Sequence, residues 1–192
     1  VSSSNAAISG TATTAAAVTA FSVEVSQMAR AQMAGSAPLA PGGSPVGAGT
    51  LRIELGAWST SGPATFTKGS GAAVNVAVSA TDTLSQIADK INAAGAGVTA
   101  TVLKDDAGER LLMRSSATGE ASAFRVQALA ESVAPATEGV AITNGTGLGR
   151  LAFDPANATG GLALTQSALN TKATINGVAV SSQNNTIEAI AG

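Results

Sequence analysis

A short pattern occurs twice in this chain, about a hundred residues apart, and it limits the possible folds more than any other feature. One copy covers residues 76–88 and the other covers residues 178–191. Each contains an alternating Val-Ala-Val-Ser run, a polar turn, and then Thr-(Leu or Ile)-x-x-Ile-Ala. Alternation with a period of two is typical of a strand, whereas apolar spacing of three and four residues is typical of a helix. Each copy therefore predicts a strand, a turn and the start of a capped helix.

The helix of the first copy is defined by its apolar stripe and by both of its ends. Its apolar residues recur at i, i+3, i+4 and i+7 and so share one face: Leu84, Ile87, Ala88 and Ile91. Thr83 and Gln86 have the spacing of a capping box, in which each side chain bonds the backbone amide of the other residue. Gly95 and Gly97 follow as helix stops. The sequence predicts a helix over residues 84–94, with Ile87 buried.

The second copy predicts the same local structure at the end of the sequence. Asn185 and Glu188 have the spacing of a helix cap, so we expect a helix that begins within two residues of Thr186. Its apolar face would comprise Ile187 and Ile190. Just before it, the Asn-Gly pair at residues 176–177 indicates a tight turn between two short strands.

Alternation of apolar and polar residues predicts strands along much of the remaining chain. The runs are 21–28, 50–55, 64–68, 73–79, 98–103, 110–115 and 123–128. The first run is expected to bend into a helical turn over 29–34. The runs 98–103 and 110–115 predict a hairpin with a charged tip, where Gly108 supplies a positive φ. Residues 131–155 are predicted to be mostly irregular.

Gly- and Pro-rich stretches between the strand runs indicate two domains. We predict a mainly β (α+β) fold with two small β-rich domains and a few short helices, in which an outer domain is inserted into an inner one. Residues 1–20 are an extended lead-in, residues 21–36 and 164–192 form the inner domain, and residues 50–157 form the inserted outer domain. This scheme requires 21–28 to pair with a segment after residue 164.

Composition excludes several classes of function. The 192 residues include neither Cys nor His, which removes thiol nucleophiles, disulfides, and the commonest general base and metal ligand. The formal net charge is −2, and no basic patch favours nucleic acid. No apolar run approaches the ~20 residues that cross a bilayer. We predict that the chain is not an enzyme and has no catalytic, cofactor-binding or metal-binding residue, no cofactor, and neither a nucleic-acid nor a membrane partner.

Five acidic residues are candidates for a functional site. Asp105, Asp106 and Glu109 could hold a cation, but three carboxylates beside a Gly turn are more typical of a solvated hairpin tip. Asp82 and Asp89 could form a pair of acids. We favour helix-start electrostatics for Asp82 and the solvent face of the helix for Asp89.

Other motifs give weaker signals. The Gly-rich runs 42–43 and 145–149 do not open a helix with Lys-Ser or Lys-Thr, so a phosphate loop is excluded. A Ser nucleophile would need an activating base, and the sequence offers none in a recognisable motif. Trp58 is interpreted as a partly buried cap over a strand end, with an exposed partner contact as the alternative.

Several segments, in order, resemble one family. Residues 173–191, and residues 83–94 continuing into 98–102, resemble the flagellin hook IN motif of bacterial flagellins and hook-associated proteins. Residues 21–32, followed by a Gly-rich loop and the strand 49–55, are similar to the flagellar filament cap family, hook-associated protein 2. The resemblance covers about residues 20–130 and 165–191.

The resemblance implies a structural protein of the bacterial flagellum that is secreted and located at the filament tip. The chain would be a fragment of the head region of the cap, whose full-length form assembles into a ring-shaped homo-oligomer and promotes insertion of flagellin. Its partners would be flagellin, copies of itself and host surfaces. Because the terminal coiled-coil segments of the family are missing, we expect the fragment to be monomeric in dilute solution.

An alternative function belongs to another class of protein. The same β-rich head could be a surface adhesin, or a decoration domain of another flagellar protein. Long heptad-bearing segments on both sides would favour the cap, whereas a pilus signal or a cell-wall anchor would favour the adhesin.

Overall fold

The computed structural model describes residues 1–40, 45–131 and 139–188. Within these ranges the chain forms eleven strands, one α-helix and two short 3-10 turns, so the predicted mainly β class is confirmed. The elements are β1 Val23–Gln27, β2 Met33–Gly35, β3 Gly49–Trp58, β4 Phe66–Lys68, β5 Val74–Val78, α1 Leu84–Ala93, β6 Val98–Asp105, β7 Gly108–Ser115, β8 Ala123–Leu129, β9 Ala163–Gln166, β10 Thr171–Ile175 and β11 Val178–Ser182, with 3-10 turns at Glu120–Ser122 and Gly147–Leu151.

The strands form three antiparallel sheets among the described residues. In the first, β3 pairs with β4 and β5 on one side and with β8 on the other. The second has the order β6-β7-β2-β9. The third, which we call the small sheet, has the order β1-β10-β11. The first two sheets and α1 share one apolar core, and we call this part the large lobe.

Helix α1 forms as its sequence predicts. Thr83 is the N-cap, and its hydroxyl and the Gln86 side chain complete the capping box. The side chains of Leu84, Ile87 and Ile91 are at most 2% exposed because the apolar stripe faces the core between the sheets. At ten residues α1 is too short to cross a bilayer, and no other helix among the described residues could do so.

The predicted hairpins also form. Strands β6 and β7 pair from Val98↔Ser115 to Asp105↔Gly108, and β10 and β11 are joined at the Asn-Gly turn of residues 176–177. Gly108 has φ +132°, and a Cβ there would meet the backbone of Leu39, which bridges to Glu109. A glycine is therefore required both by the turn and by the segment around Leu39, which crosses the hairpin.

The helical turn predicted for residues 29–34 is wrong. This segment is extended, and its second half is β2, which pairs with β7 and β9. The buried Gln32 side chain accepts from the Phe124 backbone N–H and donates to the Phe124 C=O, both at 3.1 Å. Extended backbone is preferred here because these bonds and the β2 ladders satisfy polar groups that would otherwise be buried without partners.

The helix predicted near Thr186 does not begin within the described residues. Residues 183–188 are bends and extended chain, and the remainder of the predicted helix, with Ile190, lies outside the described ranges. Asn184 accepts from the Thr186 N–H at 2.8 Å, while the Asn185 side chain bonds Ala29 instead of capping a helix. Local asparagine bonds of this kind compete with a helical start.

The chain crosses between the small sheet and the large lobe twice. Strand β1 pairs with β10, from Val23↔Ile175, which is the contact that the predicted inner domain requires. The same scheme places β2 and β9 in the inner domain. These two strands pair with each other, but β2 also pairs with β7 of the predicted outer domain, so both lie in the second sheet. The two-domain division remains a prediction, and the pairing favours crossings near residues 29–32 and 167–170.

Candidate functional site

The hairpin tip holds two of the predicted acidic residues in solvent, but not the third. Asp105 accepts from the Ala107 N–H at 2.9 Å and from Arg110 Nε at 3.2 Å. The hydrogen bond from Arg110 is the main reason that the pKa of Asp105 lies below its ordinary value. Asp106 is exposed, whereas Glu109 is buried and pairs with Lys104 at 2.8 Å. The expectation that Glu109 is open to water is therefore wrong, because the segment around Leu39 covers that end of β7.

These acidic residues do not converge on a common point. Within the described ranges, no group of three or more acidic side chains is arranged to hold a metal ion. Asp105 and Glu109 each face a cation of the same hairpin, Arg110 and Lys104. The hairpin tip is a set of cross-strand ion pairs, which is the geometry of a solvated turn and not of a calcium loop.

Asp82 has a structural role at the start of α1. Its carboxylate accepts from the Ser79 N–H at 2.7 Å and forms an ion pair with Lys90, two turns along the helix. The hydrogen bond from Lys90 lowers the pKa of Asp82, with the Ser79 bond as the next contribution. Asp89 is exposed on the solvent face of α1, as predicted. The two carboxylates therefore do not act as a pair.

Trp58 caps the end of β3, as its preferred interpretation predicts. Its Nε1 donates to the Phe124 C=O at 3.0 Å, and its ring lies 4.9 Å from the Phe66 centroid and 5.7 Å from that of Phe153. Phe124 and Phe153 are also in edge contact, with centroids 5.7 Å apart. Most of the few aromatic residues of the chain are concentrated in this cluster, which anchors the first sheet.

A buried ionic cluster beside these rings was not found by sequence reasoning. The Glu54 carboxylate, which is 3% exposed, accepts from Arg125 Nε at 3.1 Å and also pairs with Arg125 Nη2. Arg125 lies 3.9 Å from Asp154 and stacks 4.9 Å from the centroid of the Phe66 ring. Asp154 also accepts from Gln127 and Asn157. The signal that could have indicated this ion pair is cross-strand register, since Glu54 lies directly opposite Arg125.

Every carboxylate of this cluster is already paired, so the cluster joins structural elements. Glu54 and Arg125 link β3 to β8, and Asp154 ties the segment after the second 3-10 turn to the same strand. Buried charges are retained only where they are paired and hydrogen-bonded. A general acid or nucleophile needs a substrate beside it, and these groups face one another instead.

The small sheet and the adjoining crossing expose apolar side chains, and a groove runs along part of them. Val25, Met28 and Val178 are 41%, 51% and 63% exposed. An open groove of about 390 Å³ follows β1 and the crossing, and its lining includes Val25, Met28, Arg30 and Leu169. The outer edge of β1 has no strand partner among the described residues. Exposed apolar side chains of this kind are typical of surfaces that contact other proteins.

Comparison with known proteins matches a family motif and a sequence relative. Residues 65–117 match the flagellin hook IN motif; this span contains the first copy of the repeat, and the second copy lies outside it. B-type flagellar hook-associated protein 2 of Pseudomonas aeruginosa is 31% identical over 160 residues, which is 82% of this chain and 29% of the relative. The chain thus spans less than a third of the length of that relative.

Solved structures of flagellar cap proteins share the fold. The D2-D3 domains of FliD from Escherichia coli superpose with a TM-score of 0.77 at 23% identity, over 97% of this chain and 86% of that structure. FliD from Pseudomonas aeruginosa gives a TM-score of 0.65 at 24% identity, over 92% of this chain and 72% of that one. The resemblance predicted from the motifs is confirmed: the chain has the D2-D3 fold of flagellar cap proteins and is related in sequence to flagellar hook-associated protein 2.

Proposed function

We propose that this chain is the head region of a flagellar filament cap and that it promotes assembly of flagellin at the filament tip. The observation that carries the proposal is the combination of 31% identity to a flagellar hook-associated protein 2 with the D2-D3 fold. The hook IN motif at residues 65–117 supports the same assignment. Neither the described structure nor these relatives favours the adhesin alternative.

The proposed mechanism is binding and movement, without bond chemistry. Three of the five candidate acidic residues, Asp82, Asp105 and Glu109, are held in ion pairs, which supports this mechanism. The buried Glu54 and Asp154 are paired as well. The sequence has no His, Cys or Tyr to supply a general base or a nucleophile. The relatives are named a flagellar hook-associated protein 2 and flagellar cap proteins, which is consistent with a protein that works through its shape.

The proposed partners are flagellin and further copies of the same protein, assembled as a ring outside the cell. A sequence without Cys suits an exported chain, because it cannot form unwanted crosslinks on its way out. The exposed apolar side chains of the small sheet, Val25 and Val178, support a role in which this surface contacts another protein.

Electron microscopy of the full-length protein, free and on filaments, tests the proposal. We expect additional density at the filament tip, and we expect it to disappear when the coding region of this head is deleted. Flagellin released into the medium should increase in the same strain. Density along the filament shaft, or normal filaments after deletion, would contradict the cap assignment and favour a decoration role.

Calorimetric titration with Ca²⁺ and Zn²⁺ tests separately whether the protein binds a metal ion. We expect no binding, because Asp105 and Glu109 are paired with Arg110 and Lys104. Tight binding that is lost on Asp106→Ala would overturn the non-catalytic part of the proposal.

A further inference from the structure

Among the described residues, the buried core of the large lobe does not extend into the small sheet. The buried core cluster includes residues from β2 to the segment before β9, such as Leu51, Ile87 and Leu162. Ala173 and Ile175 are the buried apolar residues of the small sheet, and neither belongs to this cluster. Packing therefore stabilises each part separately, and the relative placement of the two parts depends on other contacts.

Two extended segments form the covalent connection. Residues 28–32 leave the small sheet, and residues 167–170 return to it. Their backbones are joined by one bridge, with Arg30 N–H bonded to Leu169 C=O at 2.9 Å and Leu169 N–H bonded to Arg30 C=O at 3.0 Å. Side-chain bonds add to it at each end, from Gln166 to the Ala31 C=O at 2.8 Å and from the Ala29 N–H to the Thr171 hydroxyl at 3.0 Å. A two-stranded ribbon with one backbone bridge and a few side-chain bonds can still twist, since isolated pairs of strands are only marginally stable. A third contact away from this ribbon would fix its orientation.

The loop that follows β7 makes this third contact. The Thr118 hydroxyl donates to the Gln183 C=O at 2.8 Å, beyond the end of β11. The Gly119 N–H donates to the Arg30 C=O at 3.2 Å. The Glu120 N–H donates to the Asn170 side-chain oxygen at 2.8 Å. One short loop of the large lobe, residues 118–120, therefore reaches both crossing segments and the end of β11, which lies beside the start of β10.

Gly119 allows the loop to come this close. It has φ +99°, and a Cβ at this position would lie 2.7 Å from the Gln183 C=O oxygen and 2.9 Å from its Cα. These are backbone atoms, so they cannot move aside as the end of a flexible side chain could. Any larger residue would push the loop and the small sheet apart.

The receiving segment is itself held in place. The Asn185 side-chain oxygen accepts from the Ala29 N–H at 2.7 Å and from the Thr171 hydroxyl at 2.7 Å, and its amide donates to the Ala29 C=O at 3.3 Å. The amide group thus bonds Ala29 as a neighbouring strand would. Because Gln183 lies two residues before Asn185, this bond also fixes the acceptor of Thr118.

We propose that residues 118–120 act as a clamp that sets the orientation of the small sheet on the large lobe, with Thr118, Gly119 and Asn170 as positioning residues. Without the clamp, the small sheet would turn about the ribbon of the two crossing segments while both parts remain folded. The contacts are hydrogen bonds and one close backbone approach, so the clamp is short-range and sensitive to a single added methyl group. This inference is independent of the cap proposal.

Pulsed electron resonance between two spin labels tests the clamp directly. The sequence has no Cys, so Ser181→Cys on β11 and Asp89→Cys on α1, both exposed, give one label on each part of the full chain. The main variant is Gly119→Ala. Its matched control is Gly47→Ala, because Gly47 has a similar φ of +91° but no atom within 4 Å of an added Cβ.

We expect one narrow distance distribution in the original chain and in Gly47→Ala, and a distribution broadened or shifted by several ångström in Gly119→Ala. Circular dichroism should show that secondary structure is kept. If Gly119→Ala does not fold, the double variant Thr118→Val with Asn170→Ala tests the clamp in its place, because it removes two clamp bonds without adding volume. A broad distribution in the original chain, or an unchanged one in the folded clamp variants, would overturn the inference.

Discussion

The large lobe and the small sheet have different sources of stability. The large lobe buries side chains such as Leu51, Ile87 and Phe124 completely, at 0% exposure. Ala173 and Ile175 are the buried apolar residues of the small sheet, and Val25 and Val178 on its edge strands are 41% and 63% exposed. The small sheet relies instead on its strand ladders and on asparagine side chains at its margin. The difference shows that one chain can combine a packed body with an attachment held mainly by polar bonds, and that mutations should act differently on the two.

Truncation in the packed core should give the largest effect. Ile87→Ala removes a side chain that is 0% exposed, and we expect a loss of about 2–4 kcal/mol in the free energy of unfolding. Val178→Ala in the small sheet is the matched comparison, and its loss should stay within about 0.5 kcal/mol because Val178 is 63% exposed. Urea unfolding followed by circular dichroism measures both. Equal losses would show that the comparison between the two regions is wrong.

The buried ion pair should give the next largest effect. Glu54→Gln leaves Arg125 with Asp154 at 3.9 Å as its remaining carboxylate, and we expect a loss of about 1.5–3 kcal/mol. Glu24→Gln, at an exposed position of β1, should change stability by less than about 0.5 kcal/mol. The same urea titrations compare the two variants. If Glu54→Gln leaves the free energy of unfolding unchanged, the cluster contributes nothing to the stability of the large lobe.

The asparagine at the margin of the small sheet should have a smaller and more local effect. Asn185→Ala removes both bonds to the Ala29 backbone, and we expect a loss of about 1–2 kcal/mol. Amide hydrogen exchange should rise in β1 and β10 and remain slow in β6 and β7. Asn184→Ala is the control, since the Asn184 side chain bonds Thr186, two residues away, instead of reaching Ala29. Faster exchange throughout the chain would show that the two regions unfold as one unit.

Acid should produce the smallest effect, confined to the large lobe. The pKa of Asp82 is lowered in the fold, so its contribution is present well above the ordinary value of 3.8 and is lost as the pH falls through the lowered pKa. We therefore expect Asp82→Asn to be less stable than the original chain at pH 7 and equally stable at strongly acid pH. Asp89→Asn, on the exposed face of the same helix, is the control. A difference that persists in acid would assign the effect to packing.

Local signals made much of the large lobe predictable. The capping box of Thr83 and Gln86, the apolar stripe of α1 and the β6–β7 hairpin depend on residues close together in sequence, and all three form. The family motif at residues 65–117 lies in this same region. In this region, where neighbours in sequence supply the contacts, periodicity and turn residues predict the structure. The same kind of signal fails near Thr186, where the bond from the Thr186 N–H to the Asn184 side chain competes with a helical start.

The incorrect predictions involve contacts between residues far apart in sequence. Residues 29–34 are extended because Gln32 bonds Phe124, more than ninety residues later. Glu109 is buried because a segment around Leu39 crosses its hairpin, and Glu54 meets Arg125 only through the register of β3 and β8. None of these partners is visible to a local pattern. For the same reason the sequence could not indicate that residues 118–120 contact Gln183.

The pairing of β1 with β10 has a consequence for the order of folding. Val23 and Ile175 are about 150 residues apart, so pairing β1 with β10 closes a loop that includes most of the chain. Closing such a loop in an unfolded chain is entropically unfavourable and slow. Once β2 pairs with β9, however, the ends of the two crossing segments are already side by side, and the effective loop shrinks to a few residues. The body of the molecule thus acts as a template that must form first, and pulse-labelled hydrogen exchange should find β6 and β7 protected before β10.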